Sequence, residues 1–411
     1  MSKILNFIIV FCVCTVFTQC TKNPLLHTGE LPRELTSLEK RVVESGGNFG
    51  LKLFKEINKE ERDKNVFISP LSVSMALGMT YNGASGSTEE AMQKTLELGG
   101  LTNQEVNESY KSLIELLIEL DPKVKFQIAN SIWYRQEWTV EELFLNLCRT
   151  YFNAEVRGMD FSDLNAPNII NGWVDENTNG KIKEIVDAPI DPLTMMFLIN
   201  AIYFKGTWTY EFDKSKTRDD LFTLQDGSKK ACKMMIQSND FQYFENADFQ
   251  AIDLPYGDGG FRMTIFLPRM EKNIVELIVE LSAENWDLWM NSFSKQQGTL
   301  ELPRFKLEYK KKLNDVLNAL GMGIAFDGQA DFTKMYRPGG LFISEVKHKT
   351  FVDVNEEGTE AAAVTSVEMR FTSIGPSGFT MRVDRPFIFV IRENQSNTML
   401  FIGKIVEPTL E

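Results

Sequence analysis

From Asn355 to Arg385 the chain runs without a strongly apolar strand, although the segments on either side read as β-strands, Leu341 to Val354 and Pro386 to Arg392. Structureless connections beyond roughly 12–15 residues are uncommon inside compact domains and are usually functional or disordered. The chain must therefore build a scaffold that tolerates a long segment outside its core. That segment opens with Glu356-Glu357-Gly358-Thr359-Glu360-Ala361-Ala362-Ala363-Val364-Thr365 and reaches a turn cluster, Gly375-Pro376-Ser377-Gly378.

The chemistry of this opening allows two conformations. Gly358 lacks the Cβ that restricts backbone dihedrals and can act as a hinge. Beyond it Thr359, Ala361, Ala363 and Thr365 are small and uncharged at every second position, while Glu360 falls on the other set. With the strand period of two, such a segment can enter a sheet with one face buried and no bulk to reject. The run Glu360-Ala-Ala-Ala can equally open a short helix, because alanine has the highest helix propensity.

The rest of the chain reads as one α+β domain. Val106, Tyr110, Leu113, Leu117 and Leu120 recur at helical spacing, and Ser87 with Glu90 forms a candidate capping box. Strand character dominates later, in Phe261 to Leu267, Leu300 to Leu307, Leu341 to Val354 and Pro386 to Arg392. No repeat or low-complexity linker interrupts the chain after Leu38. The formal charge of −13 argues against nucleic acid as a partner, since phosphate binding needs a concentrated basic surface. The longest basic run, Lys310-Lys311-Lys312, sits beside Glu308 and Asp315.

Only His27 and His348 are present, which excludes a histidine-rich metal site and leaves any histidine-based nucleophile activation to one of these two. Nucleophile-elbow, Walker, H-E-x-x-H and dinucleotide motifs are missing from the sequence. Hydrolase, kinase and dehydrogenase readings therefore start badly. Cys148 and Cys232 form no CxxC and read as buried thiols.

At the amino end, Lys3 precedes an apolar stretch of fourteen residues from Ile4 to Phe17, right for a signal-peptide core and short for a membrane span. Residues 1–19 are read as a signal peptide, 20–38 as a tether and 39–411 as the folded domain. Cys20 resembles the lipid-modified cysteine of bacterial lipoproteins, although Gln19 departs from the small residue that pattern prefers. Either Cys20 is lipidated and anchors an exported protein to an outer-membrane or cell surface, or ordinary cleavage after Cys20 releases a secreted one.

Together, the hinge Glu356-Glu357-Gly358-Thr359-Glu360-Ala361-Ala362-Ala363 and Val383-Asp384-Arg385-Pro386-Phe387-Ile388-Phe389 resemble the serpins. Further matches are Asn65 to Ser72, Asn171 to Val174 with Thr178 to Ile182, Asn200 to Trp208, and Phe401 to Lys404, so the resemblance covers nearly the whole mature chain. It implies three β-sheets, eight or nine helices and an exposed reactive-centre loop at about 356–385. It also implies a metastable, monomeric suicide inhibitor of serine proteases, and of cysteine proteases too, not an enzyme and without cofactor or metal, that traps its target by inserting the cleaved loop into the central sheet.

The resemblance assigns roles to particular residues. Ser69, Ser72, Asn200 and His348 match the polar cluster that holds the central sheet shut, and Trp208 lies under the loop's entry point. Arg304 and Glu356 match a salt bridge there, with unrelated surface charges as the alternative. Counting from Glu356 places the reactive bond at Thr372-Ser373, with Met369, Arg370 and Phe371 as alternatives. Thr372 suits elastase-like, Arg370 trypsin-like and Phe371 chymotrypsin-like targets. The competing reading is a non-inhibitory serpin acting as carrier or chaperone, in which the hinge tends to carry bulky, charged or proline residues. A glycosaminoglycan cofactor is not expected, because Glu89 to Gln104 holds Lys94 as its only basic residue.

Overall fold

The structure, a computed structural model, describes residues 31–359 and 378–409. The signal segment, Cys20, Glu360 to Ala363 and the candidate bonds from Met369 to Ser373 lie outside the described residues. The amino-terminal half contains α1 (Ser37–Glu60), β1 (Val66–Ile68), α2 (Pro70–Tyr81), α3 (Gly86–Thr95), α4 (Asn103–Glu119), β2 (Val124–Arg135), α5 (Glu142–Phe152), β3 (Glu155–Met159), α6 (Ala166–Asn177) and β4 (Met196–Thr207). The carboxyl-terminal half adds β5 (Arg218–Thr223), β6 (Lys229–Glu245), β7 (Phe249–Tyr256), β8 (Phe261–Pro268), α7 (Ile274–Glu280), α8 (Ala283–Met290), β9 (Ser294–Pro303), β10 (Phe305–Lys312) and α9 (Asn314–Leu317). It closes with β11 (Lys347–Asn355), β12 (Gly358–Thr359), β13 (Phe379–Arg382), β14 (Phe387–Glu393) and β15 (Met399–Ile405).

The strands form two hydrogen-bonded networks. A six-stranded sheet runs β10-β11-β12-β4-β2-β3, and a nine-stranded one runs β1-β15-β14-β8-β7-β6-β9-β13 with β5 on β6. The second network is two sheets sharing β6. This long strand pairs with β5 and β9 along most of its length and with β7 only at its last four residues, Gln242 to Glu245. The α+β class and the three sheets are thereby present.

Burial explains why the central sheet sits where it does. On β2 and β4, Phe126, Ile202 and Phe204 face the main core, while Trp133 and Ile199 face a second cluster with Ile170 and Val174 of α6. Both faces are covered, so these strands carry apolar residues in both phases of the period-two pattern. On the core side Phe204 meets Phe261 and Phe401, joining the two sheet systems through aromatic contacts.

Several local expectations need correction. The capping box at Ser87 and Glu90 does not form: α3 starts at Gly86 after Ser85, whose backbone N–H bonds to the Asp331 carbonyl instead. The capping boxes present are Thr36 with Glu39 and Thr102 with Glu105. The first starts α1 at Ser37, within the segment read as a tether, and Leu35 before it is already buried. The strand expected over Leu300 to Leu307 is two strands. Pro303 has no N–H to donate, and Arg304 turns its own toward Lys233 O, 2.8 Å away. The strand expected from Leu341 begins only at Lys347, after Gly339 and Gly340 with φ of +77° each.

Candidate functional site: a half-entered hinge above an open sheet

The hinge is already part of the central sheet. Gly358 and Thr359 form β12 between β11 and β4, with Val354 and Asn355 on one side and Gly206 and Thr207 on the other. Gly358 has φ of +151°, and a Cβ there would lie 2.1 Å from Gly206 O, so no side chain fits without moving the neighbouring backbone. Thr359 is buried, and its hydroxyl is 2.5 Å from the phenol oxygen of Tyr256. Below these two residues β4 pairs only with β2, and β11 only with β10, among the described strands. Among the described residues the facing edges of β4 and β11 have no strand partner there, an arrangement that can take one more strand.

Polar contacts hold the entry point. Trp208 donates from its indole to Asn355 O and from its backbone to Glu357 O, both at 2.9 Å, and its ring stacks on Tyr256 with centroids 4.4 Å apart. Arg304 and Glu356 form the expected ion pair, Nε to Oε1 at 2.7 Å and Nη2 to Oε1 at 2.5 Å, with Glu356 only 1% exposed. Thr217 also donates to this carboxylate, and Lys214 pairs with Glu357. Burial raises the Glu356 pKa, but the hydrogen bonds from Arg304 and Thr217 outweigh it and hold the carboxyl below its ordinary value.

The far flank is anchored as firmly. Gly378 has φ of +132° and, like Gly358, no room for a Cβ, which would lie 2.1 Å from Gln297 O. Phe379 then stacks on Tyr243 at 3.7 Å, and β13 runs parallel to β9. Arg382 pairs with Asp220, Glu301 and Asp384. The segment read as a loop over 356–385 is therefore pinned in a different sheet at each end, through 356–359 and 379–382.

The polar cluster divides in two. Ser69 donates its backbone N–H to His348 Nε2 at 3.0 Å and its hydroxyl to Leu400 O, and accepts from the Ser72 N–H. Asn200 does not join this group. It donates to Asn130 Oδ1 at 2.8 Å, while Asn130 donates to Phe152 O. His348 is on β11 and Asn200 on β4, and these two residues line one cavity between the strands.

Burial drives the His348 imidazole down to about 4. Its open-chain value is 6.5, so the unfolded state takes up the proton first as pH falls. Stability is whole above about 6.5 and is lost progressively down to about 4, by up to about 3 kcal/mol. Urea unfolding at pH 7 and pH 4.5 is expected to show this loss and a smaller one in His348→Gln; equal losses would contradict it.

The profile of the family described as "Serpin (serine protease inhibitor)" matches residues 44–408. The chain belongs to the serpins. Human neuroserpin is 34% identical over 377 residues, covering 89% of this chain and 91% of its own. Among solved structures, the thermophilic serpin tengpin in its native state superposes with a TM-score of 0.83 at 32% identity, covering 91% of this chain and 95% of its own. Human thyroxine-binding globulin, solved in complex with thyroxine, gives a TM-score of 0.82 at 29% identity, covering 91% of this chain and 100% of its own.

Three partners in this serpin's hinge carried no local sequence signal: Tyr256 against Thr359, Thr217 against Glu356, and Asn130, which orients Asn200. Each contact joins residues 70 or more positions apart. Cys148 and Cys232 are free, buried thiols, pushed up to about 12 and about 11 by burial. Neither is poised as a nucleophile, which requires a lowered thiol pKa.

Proposed function

We propose that this serpin is a suicide-substrate inhibitor of serine proteases and not itself an enzyme. The observation that carries the reading is the half-entered hinge: two residues paired between β4 and β11, with no described strand on the remaining edges below them. The target's serine attacks the carbonyl of the residue before the scissile bond. The C–N bond breaks, the new amino terminus leaves with the β13 side, and the acyl group stays on the protease as an ester. The freed hinge side then continues into the sheet before water hydrolyses that ester.

The register of β12 says where each residue would arrive. Continued without a bulge, it brings Thr365 between Asn200 and His348, and Met369 opposite Met196 at the foot of β4. Side chains at odd positions follow Thr359 toward the core, so the small set Ala361, Ala363 and Thr365 would be the buried one. A strand of about a dozen residues at ~3.3 Å each spans roughly 40 Å. At a net ~1 kcal/mol per ladder hydrogen bond, insertion releases on the order of 10 kcal/mol. The native state is then held by a barrier, not by an equilibrium.

The carrier reading draws support from the likeness to thyroxine-binding globulin. The small, uncharged set Thr359, Ala361, Ala363 and Thr365 favours the inhibitor. Targets are trypsin-like, elastase-like or chymotrypsin-like according to whether Arg370, Thr372 or Phe371 precedes the bond, and an export signal with Cys20 as lipid anchor would place the inhibitor at a cell surface. Mass spectrometry of fragments from complexes with trypsin, elastase and chymotrypsin is expected to find different bonds. One bond for all three would contradict this broad specificity.

A further inference from the structure

From Leu31 onward the amino-terminal segment is fixed to the body of the molecule. Leu31 donates its N–H to Gln395 Oε1 at 2.9 Å, in the turn between β14 and β15, and shares a cavity wall with Ala283, Trp286 and Asp287 of α8. Arg33 pairs with Glu39, and Leu35 is buried. Cys20 lies eleven residues before Leu31. At ~3.5 Å per residue the two are never more than about 38 Å apart. A folded domain of this size is roughly 50 Å across. A lipid on Cys20 therefore holds the α8 side of the body, and no other, close to the membrane.

That side carries exposed apolar groups. Met270, Val275, Val279 and Leu288 are 79%, 44%, 68% and 63% exposed. Val275 and Val279 stand one turn apart on the outside of α7, whose inside buries Ile274, Leu277 and Ile278. On α8, Trp286 and Trp289 pack inward on Phe266, while Leu288 points out. Lys55 of α1 donates to Val279 O at 2.9 Å, so α7 closes onto the same helix whose Asn48 and Leu51 line the cavity with Leu31. The charged groups among them are acidic: Glu271, Glu276, Glu280, Glu284 and Asp287 stand against Lys272, which already pairs with Asp248.

We propose that the outer side of α7 and α8 lies on the lipid surface that holds Cys20, with Met270, Val275, Val279 and Leu288 in a zwitterionic headgroup layer. The inference rests on the lipid-anchor reading. Tethering raises the local concentration to the order of millimolar, so a shallow apolar face suffices. An anionic surface would repel the carboxylates. The contact also places the reactive loop. Phe379 stacks on Tyr243, whose hydroxyl donates to Glu245 Oε2, and Arg269, next to Met270, donates to the same oxygen at 2.8 Å. The carboxyl flank of the loop thus stands beside the lipid-facing side, where it meets proteases working at the membrane surface.

Quenching of tryptophan by brominated phosphatidylcholine tests the face apart from the acylation. The chain from Cys20 onward is coupled through that thiol to a maleimide lipid in the vesicles; Cys148 and Cys232 are buried, so Cys20 is the thiol that reacts. Fluorescence added by Val279→Trp or Leu288→Trp should be quenched at least about twofold, because an apolar face of this kind sinks into the headgroup layer. Fluorescence added by Leu164→Trp, 85% exposed beside α6, should be unchanged. Adding Val279→Asp to Leu288→Trp should remove the quenching, and vesicles enriched in anionic phosphatidylglycerol should weaken it. Equal quenching at all three positions, or none, would overturn the face. Undiminished quenching on the anionic vesicles would overturn the zwitterionic assignment. A dimer in sedimentation of the uncoupled protein that Val279→Asp splits would assign the face to a second copy instead. If mass spectrometry of the exported protein finds no lipid on Cys20, the anchor reading fails, and the quenching separately decides whether this face accepts lipid.

Discussion

Thr359→Arg is expected to convert the protein from a trap into a substrate. Thr359 is 3% exposed, hydrogen-bonded to Tyr256 and hemmed in by β11 and β4. No carboxylate is among these neighbours, so a guanidinium would enter as a buried, unpaired charge at a cost of several kcal/mol. Each 1.36 kcal/mol is tenfold in rate, so insertion should slow at least about 100-fold and hydrolysis of the ester should overtake it. Covalent complex should fall below detection on a denaturing gel while loop cleavage proceeds at its normal rate. Thr359→Ser, which keeps the hydroxyl for Tyr256, should trap normally. Equal trapping by wild type and Thr359→Arg would remove the hinge from the mechanism.

Cutting the loop should stabilise the protein. For most proteins a nick adds chain entropy to the unfolded state and lowers the melting temperature. Here a cut after Arg370, Phe371 or Thr372 would release the hinge side to fill the free edges of β4 and β11. Unfolding entropy is ~2.1 cal/mol/K per residue, or about 0.9 kcal/mol/K for 411 residues. A gain on the order of 10 kcal/mol then raises Tm by on the order of 10 °C. Calorimetry before and after limited proteolysis measures this. In Thr359→Arg the rise should shrink or vanish, which separates insertion from any general effect of cleavage.

Local pattern carried the fold class and the hinge further than it carried the contacts. The small residues after Gly358 and the helical spacing from Val106 to Leu120 are properties of neighbours in sequence, legible in the order of amino acids alone. The ion pair of Arg304 with Glu356 came from family resemblance, and its geometry is present. What local pattern could not supply were pairings across the chain. Phe379 to Arg382 is too short and mixed to read as a strand, and becomes β13 because β9 offers a parallel edge and Tyr243 a ring to stack on. Asn200 looked like a partner of His348 and turns to Asn130, since β2 lies directly beside β4 while β11 does not. The split of β9 from β10 follows from one missing N–H at Pro303, a backbone effect that an apolar pattern does not register.

By the proposed mechanism a protease is caught in mid-reaction by strand insertion. Incubating the purified protein with trypsin, chymotrypsin and elastase, then boiling in SDS before electrophoresis, tests for that catch. With at least one enzyme, a band at the mass of the protease plus the inhibitor's hinge-side fragment is predicted, smaller than the summed mass by the residues beyond the cut and stable to boiling because the link is an ester. Clean cleavage of the loop by all three, with no such band and full protease activity remaining, would contradict it.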